Sequence, residues 1–232
     1  PFRTILSGNA FNGTVADLKD YGIENYTSVM MFLGSLTPSK EASVGALLGR
    51  FARISTQRSP AVPRDGALTT GVAYLTSTQP LSDYEDTLDA IHDKKYTVLR
   101  TFTGRSGAYV SDDQTLSKAA NNDFSSMARG LVIDQAILIA YDSLLDNLNE
   151  DVEISTSGQI HPAVVKAWQS AVETQIILGM KDAGIIQDVQ AYIDPAQNIL
   201  STDTLVVKLS ILPKGYAKFI DVNIGFTTSI DN

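Results

Sequence analysis

The residues of this chain that could do chemistry are few, and their spacing fits no reaction well. GSLTPSKE, Gly34 to Glu41, lies between a strand-like run and a helical one, where a phosphate-binding loop would sit. Such a loop needs a second glycine ahead of its lysine and a Ser or Thr behind it, whereas Ser39 precedes Lys40 and Glu41 follows. TGRSGAY, Thr103 to Tyr109, lacks the third glycine and the following helix of a dinucleotide fingerprint. His92 and His161 are far apart in sequence; the first reads as a solvated helix end, the second as a residue placed ahead of a helix-opening proline. Asp112 with Asp113, and Glu150 with Asp151, are adjacent carboxylates, which usually diverge in space and serve as loop or cap charges. With no cysteine there is no thiol nucleophile, thiolate metal site or disulfide, and no Gly-x-Ser-x-Gly elbow occurs. The sequence nominates no catalytic, cofactor-binding or metal-ligating residue.

Composition narrows the classes further. At 232 residues and 44% hydrophobic, the chain has the length and apolar content for a substantial core. A net charge of −8 with no basic stripe argues against nucleic acid as a partner. The most apolar stretch, GLVIDQAILIAYDSLL, carries Asp134 and Asp142 and reads as a core helix rather than a membrane span. The chain opens on Pro1 and lacks the pattern of a signal peptide, so it reads as an internal fragment or a trimmed form missing an upstream arm.

The elements that must position these residues alternate in period. Tyr26 to Ser35 is a short apolar run that suits a buried strand. SKEASVGALLGRFARIS follows as a helix with Ser39 as N-cap and Val44, Leu47, Leu48 and Phe51 on one face. QRSPAVPRDG is a loop, and ALTTGVAYLTS a strand interrupted at Gly71. Ser82 and Glu85 form a capping-box pattern ahead of Leu88 and Ile91, predicting a helix, and Tyr96 to Phe102 reads as a strand. This is the α/β order. Residues 103–123 read as a long surface excursion. A helix is expected from Asp123, its cap, to about Asn149, buried along Met127, Leu131, Leu138, Leu145 and Leu148 and weakened at Gly130. EDVEISTSGQI reads as a strand and turn. A second helix is expected from Pro162 to Ala183, packing Trp168, Val172 and Ile176 inward, with Gly184 as its stop. The fold class is thus α/β: an α/β half over residues 1–110, then an α+β half over 111–232.

The closing residues alternate strictly. Leu205, Val207, Leu209 and Ile211 share one face; after a Pro-Lys-Gly break, Ile220, Val222, Ile224 and Phe226 share another. The last strand, residues 218–227, completes either its own sheet or another molecule's.

Four stretches in order, IHDKKYTVLRTFTGRSGAYVSDD, DFSSMARGLVIDQAILIAYDSLL, SGQIHPAVVKAWQSAVE and AYIDPAQNILSTDTLVVKLSILPKGYAKFIDVNIGF, resemble tail-sheath-like proteins of contractile phages and contractile injection systems. The upstream VGALLGRFARISTQRSPAVPRDGAL looks like the segment that precedes them in an uncharacterised sheath-like phage family, so the resemblance runs from Val44 to Phe226. It implies a structural subunit, with no enzymatic activity, that stacks in helical rings around an inner tube and contracts. It also implies a C-terminal strand that enters a neighbour's sheet, with Ile220, Val222, Ile224 and Phe226 as the intersubunit strand and Pro213, Lys214 and Gly215 as its hinge. The implied partners are neighbouring copies, the inner tail tube protein, and baseplate and terminator proteins. No cofactor, nucleic acid or membrane insertion is implied, and the implied location is a virion tail sheath or injection particle assembled in the bacterial cytoplasm. Two other readings stand beside it: an α/β nucleotide-binding enzyme, and a baseplate or tube-initiator relative of sheath.

Overall fold

The computed structural model describes residues 2–8, 11–76, 78–118, 123–147, 152, 154 and 158–215. The apolar runs of the first half form a four-stranded sheet in the order β1 (Thr4–Ser7), β2 (Val29–Leu33), β3 (Tyr96–Phe102) and β4 (Arg105–Val110). The first three strands are parallel, and β4 runs antiparallel to β3. A strand covered on both faces of a parallel sheet carries no polar alternation, which is why β2 reads VMMFL. Met30, Phe32 and Leu33 are shut from solvent in one cluster with Leu47 of α1 (Val44–Arg53), Ile91 of α2 (Leu88–Asp93), Leu75, Val98 and Leu99.

Several local expectations are corrected here. The flank of α1 is Ser43, not Ser39, and its hydroxyl accepts from Leu36 N (3.0 Å) to tie the preceding loop instead of capping the helix. Of the face expected on α1, Leu47 is buried but Leu48 is exposed. The capping box at Ser82 and Glu85 does not form, because Ser82 donates to Asp83 and Glu85 accepts from Thr101; two 3-10 turns precede α2 instead. Among the described residues ALTTGVAYLTS makes only isolated bridges, Thr69 with Ala108 and Tyr74 with Ser35 and Pro80, since it crosses from the β4 edge to the end of β2 and follows neither. The expected excursion after Phe102 is instead β4, entered through a Thr103-Gly104 turn with Gly104 at φ 78°. Gly107 (φ 92°) brings its backbone so near Thr69 that a Cβ would stand 2.5 Å from the Thr69 carbonyl oxygen. Asp113 to Ser117 then run buried.

The second half packs two helices against a second sheet. α3 spans Met127–Leu145, and its N-cap is Ser126, whose hydroxyl accepts from Arg129 N; Asp123 does not cap it. The buried Asp113 carboxylate accepts from Ala128 N at 2.9 Å and from the Ser126 hydroxyl, placing a negative charge at the helix N-terminus, where the backbone dipole favours it. α4 spans Pro162–Ile176, with Pro162 in its first turn and His161 Nδ1 accepting from Ala163 N. A π-turn over Ile177–Lys181 extends it, and the chain turns out at Gly184 (φ 70°). β5 (Ile186–Ile193) and β6 (Val207–Pro213) pair antiparallel, with Ala191 opposite Leu209. Val132, Ala136, Ala140, Val172, Ile176, Met180 and Ile186 form the core between helices and sheet, and Leu209 and Ile211 lean on it as the alternation expects.

Candidate assembly interface

The face of α3 expected to be buried is buried only at its start, where Met127 is in the core and Leu131 packs against it. Alanines Ala136 and Ala140 let α4 approach closely, while Ile137, Leu138 and Tyr141 are 48%, 56% and 62% exposed and Leu145 is exposed beside them. Leu138 and Leu145 therefore leave the buried stripe expected of them, and Leu148 lies outside the described residues. A helix apolar all round is normally covered all round. Leu178, on the π-turn that prolongs α4, is exposed as well.

Between α3 and β6 runs a groove of about 370 Å³. Val132, Ile133, Ala136 and Ile137 form its helical wall, and Val207, Leu209, Ile211 and Pro213 its strand wall. Gln57, Arg129 and Lys214 also line it. Two buried polar atoms of these residues, Gln57 Oε1 and Arg129 Nε, have no hydrogen-bond partner among the described residues. Among the described residues β6 pairs only with β5, and its other edge, beside an apolar wall, has no described strand on it.

An ion pair joins the start of the chain to the helix that walls this groove. Arg3 Nε donates to Asp134 Oδ2 at 2.5 Å and Arg3 Nη2 to Oδ1 at 3.1 Å, in a fork that is largely buried. The guanidinium crosses α3 directly over Gly130, where any Cβ would stand 2.1 Å from it. Gly130, read from sequence as a local weakness, is the gap that lets this contact form.

The sequence-nominated residues fall as follows. Pro213 ends β6 in register with Ile186, and Lys214 and Gly215 follow it. Ile220, Val222, Ile224 and Phe226 lie outside the described residues. Trp168 is half-buried, and its indole N–H donates to Asn147 Oδ1 at 3.2 Å. His92 Nε2 stands 3.4 Å from Asp112 Oδ2 at the end of α2. The Gly34 to Glu41 loop turns its donors inward: Leu36 N to Ser43 Oγ, Thr37 N to Ser35 Oγ and Glu41 N to Ser39 Oγ. Among the described residues no group of His, Asp and Glu could hold a metal ion, and no helix is long and apolar enough to cross a membrane.

Comparison with known proteins bears on the fold. A family model described as DUF2586, N-terminal domain, matches residues 3–114. The chain is similar to a chain in the cryo-EM structure of the anti-feeding prophage (AFP) baseplate, at 12% identity and a TM-score of 0.59 over 89% of this chain and 56% of that one. It is similar also to a chain in the contracted sheath complex of an extracellular contractile injection system, PVC, at 11% identity and a TM-score of 0.58 over 89% and 57%. This chain thus spans little more than half the length of each. No curated protein sequence matches it. The link to sheath-like proteins of contractile injection systems is a distant one, carried by a shared mixed α/β architecture.

Proposed function

We propose that this chain is a structural subunit of a contractile sheath and has no catalytic role. Copies polymerise into helical rings around an inner tube, the lattice contracts to drive injection, and baseplate and terminator proteins bound it at its ends. On this reading the chain divides at residues 1–110 and 111–232, the two halves of a tail-sheath subunit, and it works in a phage tail sheath or injection particle assembled in the bacterial cytoplasm. The observation that carries the proposal is the outer edge of β6, on which no strand lies among the described residues, beside the α3 groove. A strand added there gains main-chain hydrogen bonds from β6 and sets its alternate side chains against Val132, Ile133 and Ala136. Ile220, Val222, Ile224 and Phe226 of a neighbouring copy have the period to supply that face. Pro213, Lys214 and Gly215 would be the hinge that lets subunits pivot while the ladders hold.

The test is removal of Phe219 to Asn232. The expected result is a chain that unfolds near the parent's midpoint but no longer sediments as polymer, where the parent forms hollow cylinders in negative stain. A truncated chain that is unfolded overturns strand exchange, because four lost core side chains at roughly 1.5–3 kcal/mol each exceed what most domains can spare. A second reading is favoured by the likeness to a chain from a baseplate assembly: single rings that never stack into cylinders would identify a baseplate relative of sheath. The rival nucleotide-binding enzyme predicts a thermal shift with nucleotide, about 2.7 kcal/mol of stabilisation at a hundredfold excess over Kd; no shift is expected.

A further inference from the structure

Five of the eight arginines in this acidic chain meet at one corner. Arg50, Arg53, Arg58 and Arg64 line a notch of about 470 Å³ with Asp65 as its one carboxylate, and Arg105 reaches its edge by donating to the Pro63 carbonyl at 3.4 Å. Two of them are committed to structure. Arg50 is buried and donates to the carbonyls of Asp65, Gly66 and Ala67 at 2.8–2.9 Å. Arg58 forks onto both oxygens of Asp65 at 2.6 and 2.8 Å, and that guanidinium, with Arg50 and Arg53 nearby, holds the Asp65 carboxyl below its usual range. Asp65 therefore answers one charge of the set. Arg53 and Arg64 are exposed and form no ion pair among the described residues. An excess of planar guanidinium forks suits carboxylates, which they grip in pairs.

The same chain offers the complement elsewhere. Asp83, Glu85, Asp86, Asp89 and Asp93 are exposed along the 3-10 turns and α2, with no Lys or Arg between them. Lys94, next in sequence, turns its ammonium inward onto the carbonyls of Val15 and Leu18, both at 2.7 Å. Among the described residues no ion pair joins strip and notch within one molecule.

We propose that the arginine notch docks the carboxylate-rich segment Asp83–Asp93 of a second copy of this chain. Because the two patches differ, the contact is head-to-tail, which closes into a ring or runs on as a filament according to the rotation it imposes, and either form suits a stacked lattice. It rests on the assembly reading only in that copies must meet; it involves neither β6 nor the terminal strand.

Charge reversal with the whole chain tests it. Arg53→Glu with Arg64→Glu, and separately Asp86→Arg with Asp89→Arg, should each weaken self-association by about tenfold or more at low salt. Mixing the two variants should restore it, because each then presents the sign the other needs. Unfolding midpoints check that both are folded, and Arg53→Gln with Arg64→Gln serves as a milder pair should the reversals destabilise the notch. Either variant associating like the parent, or a mixture of folded variants that stays dissociated, overturns the proposal. So does loss of binding to inorganic phosphate or a single-stranded oligonucleotide on reversing Arg53 and Arg64 while self-association is unchanged, which would make the notch a phosphate site. A parent chain that is monomeric at every concentration removes the assembly reading and this contact together, whereas parental assembly indifferent to both variants removes this contact alone.

Discussion

The two sheets of this protein are covered to different degrees: the first is sealed around β2, whose apolar run does not alternate, and the second is half-covered at β6, whose residues do. In the first, Met30, Phe32, Leu33 and Leu99 are sealed beneath Leu47, Leu75 and Ile91. In the second, no residue of β6 is fully buried, and α3 turns Ala136 and Ala140 inward while Ile137, Leu138, Tyr141 and Leu145 face out. Apolar surface of this kind is what the proposed neighbouring copy would cover. A first region that carries stability and a second that holds surface in reserve is the division expected of a subunit made complete by its neighbours.

Mutations can break that comparison. Phe32→Ala should cost about 3–5 kcal/mol in chemical unfolding of the isolated chain, as for any large core deletion; a loss below about 1 kcal/mol would mean that the first sheet is no more closed than the second. Trp168→Ala, removing a half-buried ring and its bond to Asn147, should cost about 2 kcal/mol. A loss as large as that of Phe32→Ala would show the second region to be finished after all.

Titration sharpens the same contrast. Burial, followed by the charge of Tyr21, pushes the Tyr96 phenol up to about 12. An acid whose folded pKa is raised contributes fully below its unfolded value near 10 and loses that contribution as pH climbs towards the folded one. Stability should therefore fall between about pH 10 and pH 12, and Tyr96→Phe should flatten that stretch of the profile; an unchanged slope would count against a sealed phenol. The smallest effect is expected at the outer face of α3: Tyr141→Ser should move monomer stability by less than about 0.5 kcal/mol while reducing assembly in a sedimentation assay. Unaltered assembly would leave that face without a role.

Where the sequence was legible, short-range physics decided the outcome. β3 was bounded correctly from Tyr96 to Phe102, because an apolar run is framed by Lys95 at φ 71° and by Gly104. The alternation of β6 named its inner face, and Pro162 opened α4 as a first-turn proline should. β4 escaped because Arg-Ser-Gly-Ala has no strand signature; β3 and the bridge to Thr69 hold it in place. The buried stripe of α3 was legible at Met127 and Leu131 and missed at Leu138 and Leu145, because leucine is a poor guide on a helix rich in apolar residues on several faces, where close packing selects alanine. The groove depends on residues brought together from distant segments, which no local pattern announces, whereas the arginine notch is lined from the single stretch 50–65 and only Arg105 reaches it from elsewhere.

Arg3 and Asp134 are 131 positions apart, and their fork gives the fold a line of force. Tension applied to the chain at Phe2 does not end in the ladder between β1 and β2. It passes through one guanidinium into α3, the helix that walls the groove beside β6. Any strand seated beside β6 would therefore share a helix with the Arg3 fork, and a side chain at position 130 would have to push that guanidinium aside, so Gly130→Ala tests how firmly the two are joined.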